Sequence, residues 1–194
     1  MRPATVPALR ILSDASLRHP ALVGYLASRG IVPPVAAAFC REVRYEINGR
    51  AFFAVGFRND AGGWELRSER FKGGSSPKHI TTIGNRSDTV IAFEGFMDFL
   101  SAATLGIVGN GDSLVLNSVS NVEKAMKHLD AYGRINCFLD RDEAGRRTLD
   151  VLGKRYGRRA CDRSALYDGC KDLNEYLQLT TKKEMNNNLK IKLK

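Results

Sequence analysis

The sequence predicts an α/β fold, a parallel sheet with helices on both faces, preceded by a small α+β subdomain. Two observations carry this. From Thr89 to Leu177 short apolar runs alternate with stretches of helical spacing, the pattern of strands joined by crossover helices. From Val43 to Glu69 the period is two instead, interrupted by turn signals at Asn48-Gly49 and Asn59-Asp60-Ala61-Gly62-Gly63.

Taken in order, residues 1–16 read as a leader, with Pro3 and Pro7 and little periodicity. Leu17, Leu22, Tyr25 and Leu26 then recur at helical spacing, and Gly30 can end that helix in a left-handed cap. Pro33 and Pro34 start a second short helix through Cys40. Three antiparallel strands are expected next, ending in a flexible cationic loop at residues 72–79. This basic subdomain is assigned to 17–87, with a boundary near 84–88. The second domain, 88–180, predicts strands at Thr89–Phe93, Ser113–Leu116, Ile135–Leu139 and Arg163–Tyr167. Helices are expected at Phe96–Leu105, Asn121–Tyr132 and Glu143–Tyr156, with a last turn from Leu173 to Leu177. Residues 181–194, with three consecutive asparagines and alternating lysines, read as a frayed basic tail.

Composition narrows the function. At 194 residues and 43% hydrophobic, the chain can build a core. No run approaches the roughly 20 apolar residues that span a bilayer, and no secretory signal is visible, so a cytoplasmic protein is expected. Cys40, Cys137, Cys161 and Cys170 form no C-x-x-C pair, and His19, His79 and His128 are scattered, which disfavours a structural zinc site or a nucleophile triad. Residues 1–87 hold 13 Lys/Arg against 6 Asp/Glu, residues 88–180 hold 12 against 14, and residues 181–194 hold 5 against 1. An acidic centre between basic flanks suits a site with carboxylates for metal and cations for phosphates.

Ligands of an open parallel sheet bind beyond the carboxyl ends of its strands. Glu94 directly follows the strand Val90–Phe93, with Gly95 to ease the turn into the next helix. Asp140 and Asp142 follow the strand Ile135–Leu139, and their spacing places both on one side of an extended chain. If the two strands are neighbours, three carboxylates meet, and a divalent cation with hard oxygen ligands, Mg²⁺ or Mn²⁺, relieves their repulsion. Taken singly, each motif also reads as structural: Glu94 capping a helix, and the two aspartates opening the next one.

These residues resemble a family. Glu94-Gly95-Phe96-Met97-Asp98 is similar to the E-G-x-x-D motif of TOPRIM domains, and Asp140-Arg141-Asp142-Glu143-Ala144-Gly145-Arg146 to their D-x-D motif in its primase form. Lys171-Asp172-Leu173-Asn174-Glu175-Tyr176-Leu177 resembles the K-D-P-x-E-[FY]-L stretch that closes the domain in bacterial primases, with Leu173 for the proline. Asn117-Ser118 stands where primases carry Gly-Thr. More loosely, Tyr25 to Ile31 resembles the Y-L-x-x-R-G helix of the preceding subdomain, and Ser76 to Ile80 its P-K-Y-L loop.

The resemblance implies a TOPRIM-like, Rossmann-type sheet and a primase-like nucleotidyltransferase of a phage or mobile element, making or extending RNA primers on single-stranded DNA. It implies Glu94 as acid/base or metal-orienting carboxylate, Asp140 and Asp142 as metal ligands, and Asp98 and Asp172 as secondary ones. Partners would be single-stranded DNA and nucleotides, with a helicase or a separate zinc-module protein as accessory, and no membrane. A TOPRIM nuclease and a non-catalytic nucleic-acid-binding module are the alternatives. Lys72, Lys78, Arg141 and Arg146 are the candidate phosphate contacts, Lys72 and Lys78 from the glycine- and serine-rich loop. The basic residues from Arg146 to Arg159 read, as a group, as a solvated helix face, and Phe52, Phe53, Phe57 and Trp64 as core rather than a stacking platform.

Overall fold

The computed structural model describes residues 9–84 and 86–192, with side chains as far as Glu184. It contains two five-stranded sheets. The first is an antiparallel meander of β1 (Arg10–Ser16), β2 (Cys40–Ile47), β3 (Arg50–Arg58), β4 (Trp64–Ser68) and β5 (Phe71–Gly74), in that spatial order. Between β1 and β2 lie α1 (Pro20–Ser28) and α2 (Pro33–Phe39). Asn48 and Gly49, at φ of 52° and 74°, close the β2–β3 hairpin as the Asn-Gly signal requires.

The second sheet comprises β6 (Thr81–Ile83), β7 (Thr89–Phe93), β8 (Asp112–Val115), β9 (Arg134–Phe138) and β10 (Ala160–Asp162), ordered β10-β9-β7-β8-β6. All neighbours are parallel except β6, which runs antiparallel to β8. Its helices are α3 (Phe96–Thr104), α4 (Val122–Leu129), α5 (Glu143–Tyr156) and α6 (Leu173–Lys192).

β7 is the pivot. Its residues alternate between the two faces, and both faces are covered, so every inward position is apolar. Val90 and Ala92 join Ile135, Cys137, Leu114 and the buried residues of α4 and α5 in one cluster. Ile91 and Phe93 join Phe96, Phe99 and Phe138 in another, which also takes Leu22 and Leu26 of α1 and Val55 and Phe57 of β3. The two sheets therefore share a core. Phe57 stacks on Phe96 with centroids 5.2 Å apart, and Phe99 packs against both Phe57 and Phe93.

Several expectations are corrected. Residues 10–16 of the expected leader form an edge strand, held to β2 by the backbone ladder and by Arg10–Glu46 and Arg41–Asp14 ion pairs at 3.3 and 2.9 Å. An edge strand exposed along its length shows no apolar alternation, which hid it. Residues 1–8 lie outside the described residues. The first half of the expected 72–79 loop is β5, so the three-stranded sheet has five strands. β6 joins the second sheet upstream of the expected boundary at 84–88. The fourth parallel strand is β10, not Arg163–Tyr167: Asp162 accepts from the Ser164 amide at 2.8 Å and opens a 3₁₀ turn, Ser164–Tyr167. α6 continues to Lys192 through the expected tail, and residues 193–194 are not described. Phe57 and Trp64 are buried, but Phe52 and Phe53 are 44% and 40% exposed.

A shared core predicts shared unfolding. Phe57→Ala should cost about 3–5 kcal/mol and leave a single urea transition by circular dichroism. Two separated transitions in the parent protein would contradict the shared core.

Candidate metal centre

The order β10-β9-β7-β8-β6 places consecutive crossovers on opposite sides of β7, making a switch point at the carboxyl ends of β7 and its neighbours. Phe93 pairs with Phe138, so Glu94 and Asp140 emerge side by side from β7 and β9. The Asp140 amide donates to Glu94 Oε2 at 3.4 Å. Asp98 lies buried in the first turn of α3 and accepts from the Asn174 amide of α6. Asp172 precedes α6 and accepts from the Glu175 amide at 2.7 Å.

Oxygens of Asp98, Asp140 and Asp172 lie within 4.8 Å of one another, the one such acidic group among the described residues. Asp98 is only 8% exposed, and burial, then the charges of Asp172 and Asp140, push its carboxyl well above the usual range. Burial and Asp140 push Glu94 up to about 7, and burial and Asp172 raise Asp140. Crowded, poorly hydrated carboxylates of this kind favour a cation, and an all-oxygen donor set suits a hard divalent one.

Asp142 is placed differently from the expectation that grouped it with Glu94 and Asp140. Its Oδ1 accepts from the Ala144 and Gly145 amides at 3.0 Å each, capping α5. That cap and Lys171 hold its carboxyl below the usual range. Lys171 Nζ stands 3.4 Å from Asp140 Oδ2 and 3.5 Å from Asp142 Oδ2, a resident cation between the two. The glycine of the motif is steric: a Cβ on Gly145 would overlap the Asp140 carbonyl oxygen.

The carboxylates open into a cavity of about 650 Å³ between the two sheets. Glu94, Asp98, Asp140, Lys171 and Asp172 line it from the second sheet and its helices; Arg67, Glu69, Arg70 and Lys72 line it from the first, with Tyr25 and Arg29 from the end of α1. Arg67 packs over the Phe96 ring at 5.7 Å, and burial lowers its pKa. Asn117 and Ser118 line the cavity beyond β8, and Asn117 takes φ of 62°. A glycine adopts that conformation freely and asparagine tolerates it, so the Asn-for-Gly departure keeps the local backbone.

Of the candidate phosphate contacts, Lys72 faces this cavity. Lys78 instead pairs with Glu65 at 3.0 Å. Arg141 pairs with Asp168, and Arg146 donates to the Arg141 carbonyl at 2.7 Å. Both arginines line a separate hollow behind Asp140. Sequence reasoning did not single out Arg29, Arg67, Arg70, Lys171 or Asn174 as site residues. Arg29, Lys171 and Asn174 sit inside recognised motifs and could have been found there; Arg67 and Arg70 lie in a strand and its turn with no local signal. Asn174 is a buried clasp. Its amide donates to Asp98 at 3.2 Å, its side chain donates to Ser101 Oγ and the Arg29 carbonyl, and it accepts from Arg29 Nε at 2.6 Å.

These shifts set a pH dependence. A carboxyl whose folded pKa is raised contributes stability that is complete below its unfolded value and lost as pH climbs through the folded one. Metal-free protein should therefore lose stability between about pH 5 and pH 8 as Glu94 ionises, with the raised carboxyl of Asp98 adding a loss of the same sign. Asp98→Asn keeps an acceptor for the Asn174 amide and should raise Tm in chelator at the upper end of that range. It should also remove the Tm rise brought by Mg²⁺. Scanning calorimetry reads both; a variant with the parent's metal response would contradict the assignment.

Comparison with known proteins agrees with this geometry. Residues 91–177 match the Toprim-like family model, and residues 11–76 match a domain of unknown function, DUF8464. Comparison with curated proteins gives no match. Among solved structures, the primase fragment of the bacteriophage T7 primase-helicase protein is similar, with TM-score 0.60 and 17% identity over 84% of this chain and 72% of that one. A second is bacteriophage T7 lagging-strand DNA polymerase interacting with primase domains of two gp4 subunits bound to an RNA/DNA hybrid and dTTP. There the TM-score is 0.58 and the identity 16%, over 84% of this chain and 88% of that one. The matched domain and the matched fold agree: residues 91–177 are Toprim-like, and the fold of the chain is similar to that of a primase fragment.

Proposed function

We propose that the protein is a primase-type nucleotidyltransferase that makes or extends short RNA primers on single-stranded DNA. One observation carries the reading. A partly buried carboxylate cluster shares one cavity of about 650 Å³ with Arg67, Arg70 and Lys72, which outnumber Glu69 on the same stretch of chain. Nucleotidyl transfer needs both signs of charge around one phosphate chain.

In this reading Asp98, Asp140 and Asp172 hold Mg²⁺ or Mn²⁺, with Glu94 beside them and Asp142 within reach through the position that Lys171 fills. A bound divalent ion supplies charge neutralisation for the triphosphate and orients it. The primer 3′-hydroxyl attacks the α-phosphorus of a ribonucleoside triphosphate, and pyrophosphate leaves. Glu94, with its carboxyl near 7, is the group to accept the hydroxyl proton. Arg67, Arg70 and Lys72 neutralise the phosphates, and the half-buried position of Arg67 strengthens its contact relative to the exposed Arg70 and Lys72. The reading implies a cytoplasmic protein of a phage or mobile element, working with single-stranded DNA and nucleotides. A helicase or a zinc-module protein would be its accessory partner.

The test is product analysis on single-stranded DNA with ribonucleotides and Mn²⁺ or Mg²⁺. Extension of a preformed primer should exceed de novo synthesis, because a primer removes part of the entropy cost of assembling two nucleotides on a template. Glu94→Gln should abolish extension and spare template binding. Nicking or degradation of the template in place of extension would instead assign the same carboxylates to a nuclease.

A further inference from the structure

The outer face of the first sheet carries a second hollow, of about 320 Å³, that the carboxylate chemistry does not use. Tyr45, Ile47, Phe52 and Phe71 line it, and Ser68 and Arg70 form its rim. The register explains the grouping. Tyr45 pairs with Phe52 across β2 and β3, and Phe71 stands at the β4–β5 turn opposite Ser68. The three rings form a run: Phe52 to Tyr45 is 5.7 Å at 27°, and Tyr45 to Phe71 is 4.9 Å at 30°. Tyr45 is buried beneath its neighbours, whereas Phe52 is 44% exposed and keeps ring surface in solvent.

We infer that this groove stacks an unpaired base of the nucleic acid whose backbone enters the carboxylate cavity. The inference rests on the proposed function and extends it to a second part of the strand. Two observations choose this occupant. First, the groove adjoins the cavity: Ser68, Arg70 and Phe71 line both. Second, the charge fits a polyanion. Arg70 and Lys72 at the junction make no ion pair among the described residues, and exposed Arg50 lies at the β2–β3 turn, at the same end of the sheet. A strand leaving the metal centre would pass its phosphates to Arg70 and present a base to Phe52 and Phe71. Aromatic faces hold any base, so the groove supplies grip without sequence choice.

The test uses the full chain and fluorescence anisotropy with two labelled probes, an oligothymidylate and an abasic oligonucleotide of equal length. Phe52→Ala removes a half-exposed ring and should leave the thermal melt intact. It should weaken oligothymidylate binding about ten-fold, equivalent to about 1.4 kcal/mol, and leave the abasic probe unchanged. Phe52→Trp, which keeps a stacking face, should bind both probes as the parent does. Equal loss on both probes, or no loss on either, overturns the stacking groove while leaving the metal centre standing. A dimer of the parent protein that Phe52→Ala dissociates, with oligonucleotide affinity unchanged, assigns the face to a second copy and also overturns it. Failure of the parent to bind either probe overturns groove and nucleic-acid reading together. Base-dependent binding without primer extension retains the groove and counts against the polymerising activity alone.

Discussion

Like-charge repulsion among Asp98, Asp140 and Asp172 is the constraint around which the rest of this structure is arranged. Three carboxylates with oxygens within 4.8 Å, one of them nearly dry, do not stay together by their own interactions. The fold holds them there. β7 and β9 fix Glu94 and Asp140 through a register that the apolar clusters on both sheet faces enforce. α3 carries Asp98 on its buried face, and the start of α6 carries Asp172. Asn174 ties the two helices to each other and to the end of α1, meeting Asp98, Ser101 and Arg29 at once. Packing energy is thus held as electrostatic strain at one rim, a common feature of sites built for cations.

The first sheet answers that charge. Phe57 stacking on Phe96 places β3 and β4 against the second sheet, and this brings Arg67 over the same Phe96 ring. Arg70 and Lys72 follow at the β4–β5 turn and complete the basic wall. Lys171 supplies a closer counter-charge, between Asp140 and Asp142, and its own pKa is raised chiefly by Asp140. The pair of sheets is therefore one site-forming unit, with the acidic half contributed by one and most of the basic half by the other.

Much of this was legible in the sequence where local signals and burial agree. β7 and α5 match their expected bounds, because β7 is a fully apolar run and α5 has an Asp cap, a basic last turn and Gly157 at φ of 55°. The motifs located Glu94, Asp98, Asp140 and Asp172 at the rim. What escaped is what neighbours decide. β1, β5 and β6 are edge strands whose pairing partners, not their composition, make them strands. Which carboxylates approach one another depended on the α5 cap engaging Asp142, a role the aspartates' place before α5 allowed, and on the buried position of Asp98, which spacing does not show. Lys78 read as a free loop lysine until Glu65 was placed across the strand from it. Phe52 and Phe53 sit in an alternating strand like core residues, but they lie near its exposed end, where Phe53 meets only the ring of His19 among the described aromatic contacts.

The central claim is that the rim formed by Asp98, Asp140 and Asp172 holds a divalent cation. The most direct measurement is anomalous diffraction from crystals of the protein soaked in Mn²⁺. The account predicts an anomalous peak among those three carboxylates, within bonding distance of Asp140. A peak only at other acidic side chains, or none at a Mn²⁺ concentration that supports activity, would contradict it.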